Sequence, residues 1–240
     1  MCTVVVRRSD AGPTEILAVR DEMTSREFDS PGRWWPEHPG VVGGRDRVAG
    51  GTWCATDVRT GVTALVLNRY HERPAEPGAP SRGVLPLLAA VHGAGWTGHV
   101  RLEGMAGFLL VLAEPDRLTS WEHDGDRLVR TDHGEGTHVF TSGGPEDRKR
   151  ELWQGPFAAA PFPDRWRALV QEQAPAAEPE ALVVRREREG RVYGTVFAET
   201  LDARPGRLRL EYSRQPWAAT WETAAFDDAD DDAAEPPAAR

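Results

Sequence analysis

The most reactive residue type in this 240-residue chain stands almost at its start, as Cys2. A small residue at that place permits removal of Met1, which would leave one residue carrying both a thiol and a free α-amine. The reference pKa of an α-amine, about 8, lies close to the ~8.5 of a thiol, so near neutral pH the amine accepts the thiol proton, directly or through water. Nucleophile and base then belong to a single residue. The attacking species is the thiolate, which a nearby guanidinium favours, and Arg20 is the candidate. Asp21, beside it, is suited to hydrogen-bond the terminal amine and fix its direction, as a third group orients the base in other nucleophile sites.

These residues need a scaffold that brings position 2 next to positions 20 and 21. Cys2 to Arg8 and Thr14 to Arg20 are rich in β-branched and aliphatic residues, and Asp10-Ala11-Gly12-Pro13 between them is a turn, so the chain starts as a hairpin. Gly50 to Asp57 and Val62 to Asn68 form a second hairpin around Arg59-Thr60-Gly61. Glu72 to Ser81 is expected to be a mobile loop, and Val84 to His92 a short apolar helix on a sheet face. Met105 to Glu114, Leu118 to Glu122, Arg127 to Thr131 and His138 to Thr141 read as strands, with Asp124-Gly125 as a hairpin turn. Trp166, Leu169 and Val170 fall at helical spacing within Pro163 to Gln173. Val192 to Leu201 and Leu208 to Tyr212 pair across Arg204-Pro205-Gly206. Hairpins with few helices predict packed antiparallel sheets flanked by helices, in a single α+β domain over 1–226.

The motifs occur in a specific order: Met1-Cys2-Thr3, Arg20-Asp21-Glu22, Gly50-Gly51-Thr52-Trp53, Asn68 at a strand end, Ser81-Arg82-Gly83, Gly107-Phe108 and Tyr193-Gly194-Thr195. The ordered set resembles the NRDE family, also called the transport and Golgi organisation family, over nearly the whole chain. The resemblance implies a four-layer αββα N-terminal-nucleophile hydrolase fold, similar to bile-salt hydrolases and penicillin V acylases. It implies Cys2 as nucleophile, Arg20 and Asp21 as its supports, and Asn68 as an oxyanion-hole donor. An amide aimed at a developing oxyanion is worth about 3 to 4 kcal/mol of barrier. The chain departs from the pattern at three places: Val19 takes the Asn place of the family's name motif, Ser142 stands where the related hydrolases have an active-site Asn, and Val196 stands where an Arg often follows Tyr-Gly-Thr. Ser142 can donate one hydrogen bond at shorter reach, and Val196 brings no charge.

Other features narrow the function. Net charge is −9, of which −5 sits in the acidic, Ala/Pro-rich segment from Asp227 to Arg240, expected to be disordered. No basic stripe suits a phosphate backbone, so no nucleic-acid partner is expected, and no apolar run reaches the ~18 residues of a membrane span. Two cysteines exclude a disulfide framework and point to a reducing, cytoplasmic setting. Gly93-Ala94-Gly95-Trp96-Thr97-Gly98 matches G-x-G-x-x-G, but a helix precedes it and a strand follows, the reverse of a dinucleotide site, so the glycines are read as a turn. His133, Glu135 and His138 with Asp132, and Glu122, His123, Asp124 and Asp126, lack zinc-site spacing, and no metal is expected. Trp34, Trp35 and Trp53 are candidates to line a pocket for a small molecule, while core packing is the expected role of most of the tryptophans. The expected function is an amidohydrolase that works through an acyl-cysteine on carbon–nitrogen bonds other than peptide bonds and needs no cofactor. The alternative, implied by the resemblance, is a non-catalytic carrier of a hydrophobic ligand such as haem or an acyl lipid.

Overall fold

Apolar residues at both odd and even positions mark strands covered on both faces. In β1 (Thr3–Arg8) and β2 (Thr14–Met23), Val4, Val6, Ile16 and Ala18 point one way and Val5, Leu17 and Val19 the other, and all seven are buried. The computed structural model describes residues 2–9, 12–69, 74–144, 146–218 and 220–226, and within them this double burial builds four layers.

One sheet runs β10 (Gly136–Thr141), β1, β2, β12 (Arg191–Arg204), β13 (Arg207–Ser213), β14 (Glu222–Thr223), with β11 (Arg185–Arg188) pairing β12. The other is a meander in chain order: β3 (Phe28–Gly32), β4 (Val41–Asp46), β5 (Cys54–Asp57), β6 (Val62–Asn68), β7 (Phe108–Ala113), β8 (Leu118–His123) and β9 (Leu128–His133). The paired strands of both sheets are antiparallel. Val4, Val6, Ile16, Ala18 and Leu201 of the first sheet pack between the layers against Leu65, Leu67, Leu109 and Val111 of the second. The outer face of the first sheet is covered by α2 (Arg148–Ala159) and α3 (Asp164–Gln171), where Phe157, Trp166 and Val170 meet Val5, Leu17 and Val19. The outer face of the second carries α1 (Val84–His92), whose Leu85 and Ala89 pack on Ala64, Leu110 and Leu112. No helix of the described residues is long and apolar enough to cross a membrane.

The expected hairpins, α1 and α3 are present, one expectation changes, and elements appear where none was expected. Gly93–His99 is a 3-10 helix rather than a turn, fixed by the burial of Trp96 against Phe108 and Trp121. The segment between the first two hairpins, which contains Trp34, Trp35 and Pro36, contributes β3 and β4. Gly44 there lets the backbone pass the ring of Trp53, where a Cβ would collide. Helix α2 is unannounced by apolar periodicity. Asp147 caps it by accepting from the Lys149 amide (3.0 Å), and Gln154 anchors it to β10 by accepting from Val139 N (3.1 Å) and donating to Thr137 O. Residues 74–81 of the expected loop form neither helix nor strand. The acidic segment 227–240 lies outside the described residues.

Candidate active site

The β1–β2 register, Thr3 opposite Val19, carries Cys2 to a place opposite Arg20 when continued one step. The thiol of Cys2, partly buried, donates to the Asp21 carbonyl at 3.6 Å. Adjacent residues on a strand face opposite ways, so Arg20 points between the sheets and Asp21 toward the α2 side. The pairing of β2 with β12 shifts by a bulge at this level, between Thr195 opposite Asp21 and Phe197 opposite Arg20. Asp21 is thereby held from several directions. Thr195 Oγ1 donates to its Oδ1 at 2.6 Å, Val184 N donates to that same hydroxyl at 2.8 Å, and Tyr193 OH donates to the Asp21 carbonyl at 3.2 Å.

Arg20 is only 6% exposed. Its guanidinium lies 4.3 Å from the ring centre of Trp53 and 5.2 Å from that of Phe28. Nη2 approaches Glu22 and Asp46 at 3.7 and 3.8 Å, beyond hydrogen-bond range, and buried Nη1 has no hydrogen-bond partner among the described residues. Burial pushes the proton affinity of Arg20 down, opposed by Glu22, Cys2 and Asp46. For Cys2, burial and then the Asp21 carboxylate push the thiol pKa up, against the pull of the amino terminus, the hydrogen bond to the Asp21 backbone and Arg20. Burial thus favours the thiol over the thiolate at Cys2.

Cys2, Arg20 and Asp21 open into a cleft of about 280 Å³, walled also by Trp53, Asn68 and Arg82. Asn68 ends β6, partly exposed, and its carboxamide makes no hydrogen bond among the described residues, so its N–H groups remain available. Gly51 and Gly83 touch backbone to backbone on the rim, where a Cβ on Gly51 would strike Gly83, and Thr52 N donates to Gly83 O at 2.9 Å. Of the predicted residues, the cleft gathers Cys2, Arg20, Asp21, Asn68 and Trp53. Ser142 is buried and does not line it. Continuing the β1–β10 register beyond Thr3 and Thr141 sets Ser142 opposite Cys2 along the backbone. Trp34 and Trp35 pack elsewhere, in a cluster with Val41, Leu87 and Ala90.

Two charged residues escaped the sequence reading. Lys149, the sole lysine, is fully buried in the first turn of α2. Burial pushes its proton affinity down, while Asp21, Cys2 and Asp147 sustain it, which places its charge in the field of Asp21 and Cys2. Its signal was the occurrence of a single lysine in an arginine-rich chain. Glu199, inside an apolar strand, is fully buried behind Trp53, whose Nε1 donates to Glu199 Oε1 at 3.2 Å. Burial raises its pKa to about 7, although Cys54, Trp53 and Arg20 pull the other way.

Residues 1–154 match the family described as Transport and Golgi organisation 2. No curated protein matches the chain in sequence. Among solved structures, the chain is similar to the C2A mutant of conjugated bile acid hydrolase from Clostridium perfringens, with a TM-score of 0.55 and 10% identity over 95% of this chain and 97% of that one. It is also similar to the Caenorhabditis elegans ortholog of N-acylethanolamine-hydrolyzing acid amidase, with a TM-score of 0.51 and 10% identity over 86% and 94% of the two chains. At such identity the likeness is one of fold. The α+β sandwich of two antiparallel sheets between helices is an N-terminal-nucleophile hydrolase-like fold.

Proposed function

The chain belongs to the Transport and Golgi organisation 2 family, and from that premise we propose that it is an amidohydrolase whose nucleophile is Cys2, freed at its amine by loss of Met1. One observation carries this reading: the Cys2 thiol, the buried Arg20 guanidinium and the unengaged Asn68 carboxamide line a single open cleft. That the two structural neighbours are named as hydrolases supports it.

In the proposed reaction the α-amine of Cys2 takes the thiol proton and the sulfur attacks the carbonyl carbon of a small amide. The carbonyl oxygen becomes an oxyanion that accepts from Asn68. Collapse breaks the carbon–nitrogen bond, the departing amine takes the proton from the Cys2 ammonium, and a thioester remains. Water then attacks the thioester, giving its proton to the α-amine. The carboxylic acid departs and the thiol is restored. Arg20 favours the thiolate electrostatically, and Asp21, fixed through Thr195, orients the amine. The cleft volume of about 280 Å³ suits a small acyl group.

The haem alternative meets a different wall. A porphyrin face needs an apolar slot, whereas the cleft beside Cys2 carries Arg20, Asp21, Glu22, Arg26, Asp46 and Arg82. This charged lining weighs against haem, and titration with haem should give no Soret shift that depends on Cys2. The hydrolase reading is tested by intact mass, which should show loss of Met1, followed by exposure to a panel of small amides. An acyl adduct on the Cys2 peptide, absent in Cys2→Ala, is the expected result. Processed protein that never acylates across the panel refutes the proposal.

A further inference from the structure

A second cavity, about 320 Å³, lies between β8, β9 and β10 and shares no lining residue with the Cys2 cleft. The two stand back to back: Asn68 faces the first and Arg69 the second, where its guanidinium bonds Glu122 at 2.8 Å and donates to the Thr141 carbonyl. Besides Arg69, the second cavity draws on Arg150, His133 and His138, while Glu122 is its only carboxylate among the described lining residues. Basic side chains thus outnumber acidic ones in the described lining. His133 Nε2 lies 2.8 Å from Ser120 Oγ, and His138 Nε2 donates to the Gly134 carbonyl at 2.9 Å, which fixes both rings. The rings stand 5.4 Å apart, and both meet Phe140, at 5.1 Å from His133 and 6.4 Å from His138. Leu109 and Val129 complete an apolar flank.

We infer that this cavity binds a small organic carboxylate with a flat apolar body, its charge on the arginine and histidine side and its body against Phe140, Leu109 and Val129. Guanidinium and imidazolium groups recognise a carboxylate by charge-assisted hydrogen bonds, and an aromatic body stacks on imidazole and phenyl faces. The volume lies at the small end of the ~300–1,000 Å³ typical of ligand sites, which suits a small ligand. The electrostatics agree. Burial lowers the proton affinity of His133, and His138 and Arg150 lower it further. Asp132, which opposes them, is held by Thr119 and Arg130. An anion in the cavity relieves this repulsion. The inference is independent of any chemistry at Cys2.

The test is an NMR titration of the His133 and His138 ring protons in the full chain, with benzoate as probe and benzamide and inorganic phosphate in parallel. Benzoate should give saturable shifts on both rings and raise the His133 pKa, because an anion within about 4–6 Å favours the charged imidazole. The Arg150→Gln and His138→Gln variants, checked for fold by their amide spectra, should each weaken binding about tenfold. Alkylation of Cys2 should proceed at its usual rate in both. Absence of a saturable benzoate shift up to its solubility overturns the inference. So does benzamide binding as tightly as benzoate, which denies a role for charge, or phosphate binding more tightly, which denies the apolar body.

Discussion

Replacing Glu199 by Gln should stabilise the protein above neutral pH and change little in mild acid. Glu199 sits on β12 between the sheets, with no exposure, accepting from Trp53 Nε1 and the Cys54 thiol, while Oε2 has no partner among the described residues. The folded carboxyl titrates at about 7, against the ordinary 4.5 that applies when the chain unfolds. Between those values the folded state keeps a proton that the unfolded state has released. Stability from this group is therefore complete below about 4.5 and drains away as pH rises through 7. At roughly 1.4 kcal/mol per pH unit, the loss between pH 5 and pH 8 comes to about 2 to 3 kcal/mol. Gln keeps the acceptor for Trp53 and never ionises. Urea denaturation of both proteins from pH 5 to 8 gives the difference in unfolding free energy, from which other titrations cancel. That difference should grow by about 2 to 3 kcal/mol in favour of Glu199→Gln. A difference flat with pH refutes the reasoning, since it would mean that the carboxyl is not held neutral by burial.

Asn68→Ala should lower amide turnover by about 10²–10³-fold and leave the rate of Cys2 alkylation unchanged, because in the proposed reaction the carboxamide acts on the oxyanion and not on the thiol. Thr195→Val removes the 2.6 Å donor to Asp21 and should slow acylation in single-turnover assays without unfolding the protein, as judged by circular dichroism. Lys149→Met should move the pH midpoint of Cys2 alkylation upward by removing a positive charge that favours thiolate, and Lys149→Arg should restore part of it.

What the sequence revealed follows from how local each feature is. Cys2, Arg20 and Asp21 belong to one hairpin, so strand periodicity and a turn suffice to bring them together. Asn68 has no local signal and was reached only through resemblance. Helix α2 stayed hidden because it buries just Lys149 and Phe157 and contains Gly155 and Pro156, which oppose a helical pattern. Strands β3 and β4 were masked by glycines that admit the Trp34 and Trp53 rings at close range. Glu199 lay unseen within Val196 to Leu201 because what singles it out is its buried position behind Trp53, which only the packing of the two sheets creates.

The departures from the family pattern are better understood through Lys149 than through the departing residues. Val196 lies between Thr195 and Phe197, where the β2–β12 register shifts, and it brings no charge to the neighbourhood of Asp21. Lys149 reaches that neighbourhood from another layer, since α2 packs on β10, β10 pairs β1, and β1 begins at Thr3 beside Cys2. Its ammonium is sustained by Asp21 first and Cys2 next, so a cation faces Asp21 and Cys2 from the helix side while Arg20 acts on Cys2 from between the sheets. Removing one member of such a buried set leaves the others uncompensated, at a cost of about 3 to 5 kcal/mol. Asp21 therefore couples electrostatically to Lys149 of α2 as well as by hydrogen bond to β12, and substitution at Lys149 should be felt in stability and in thiol reactivity together.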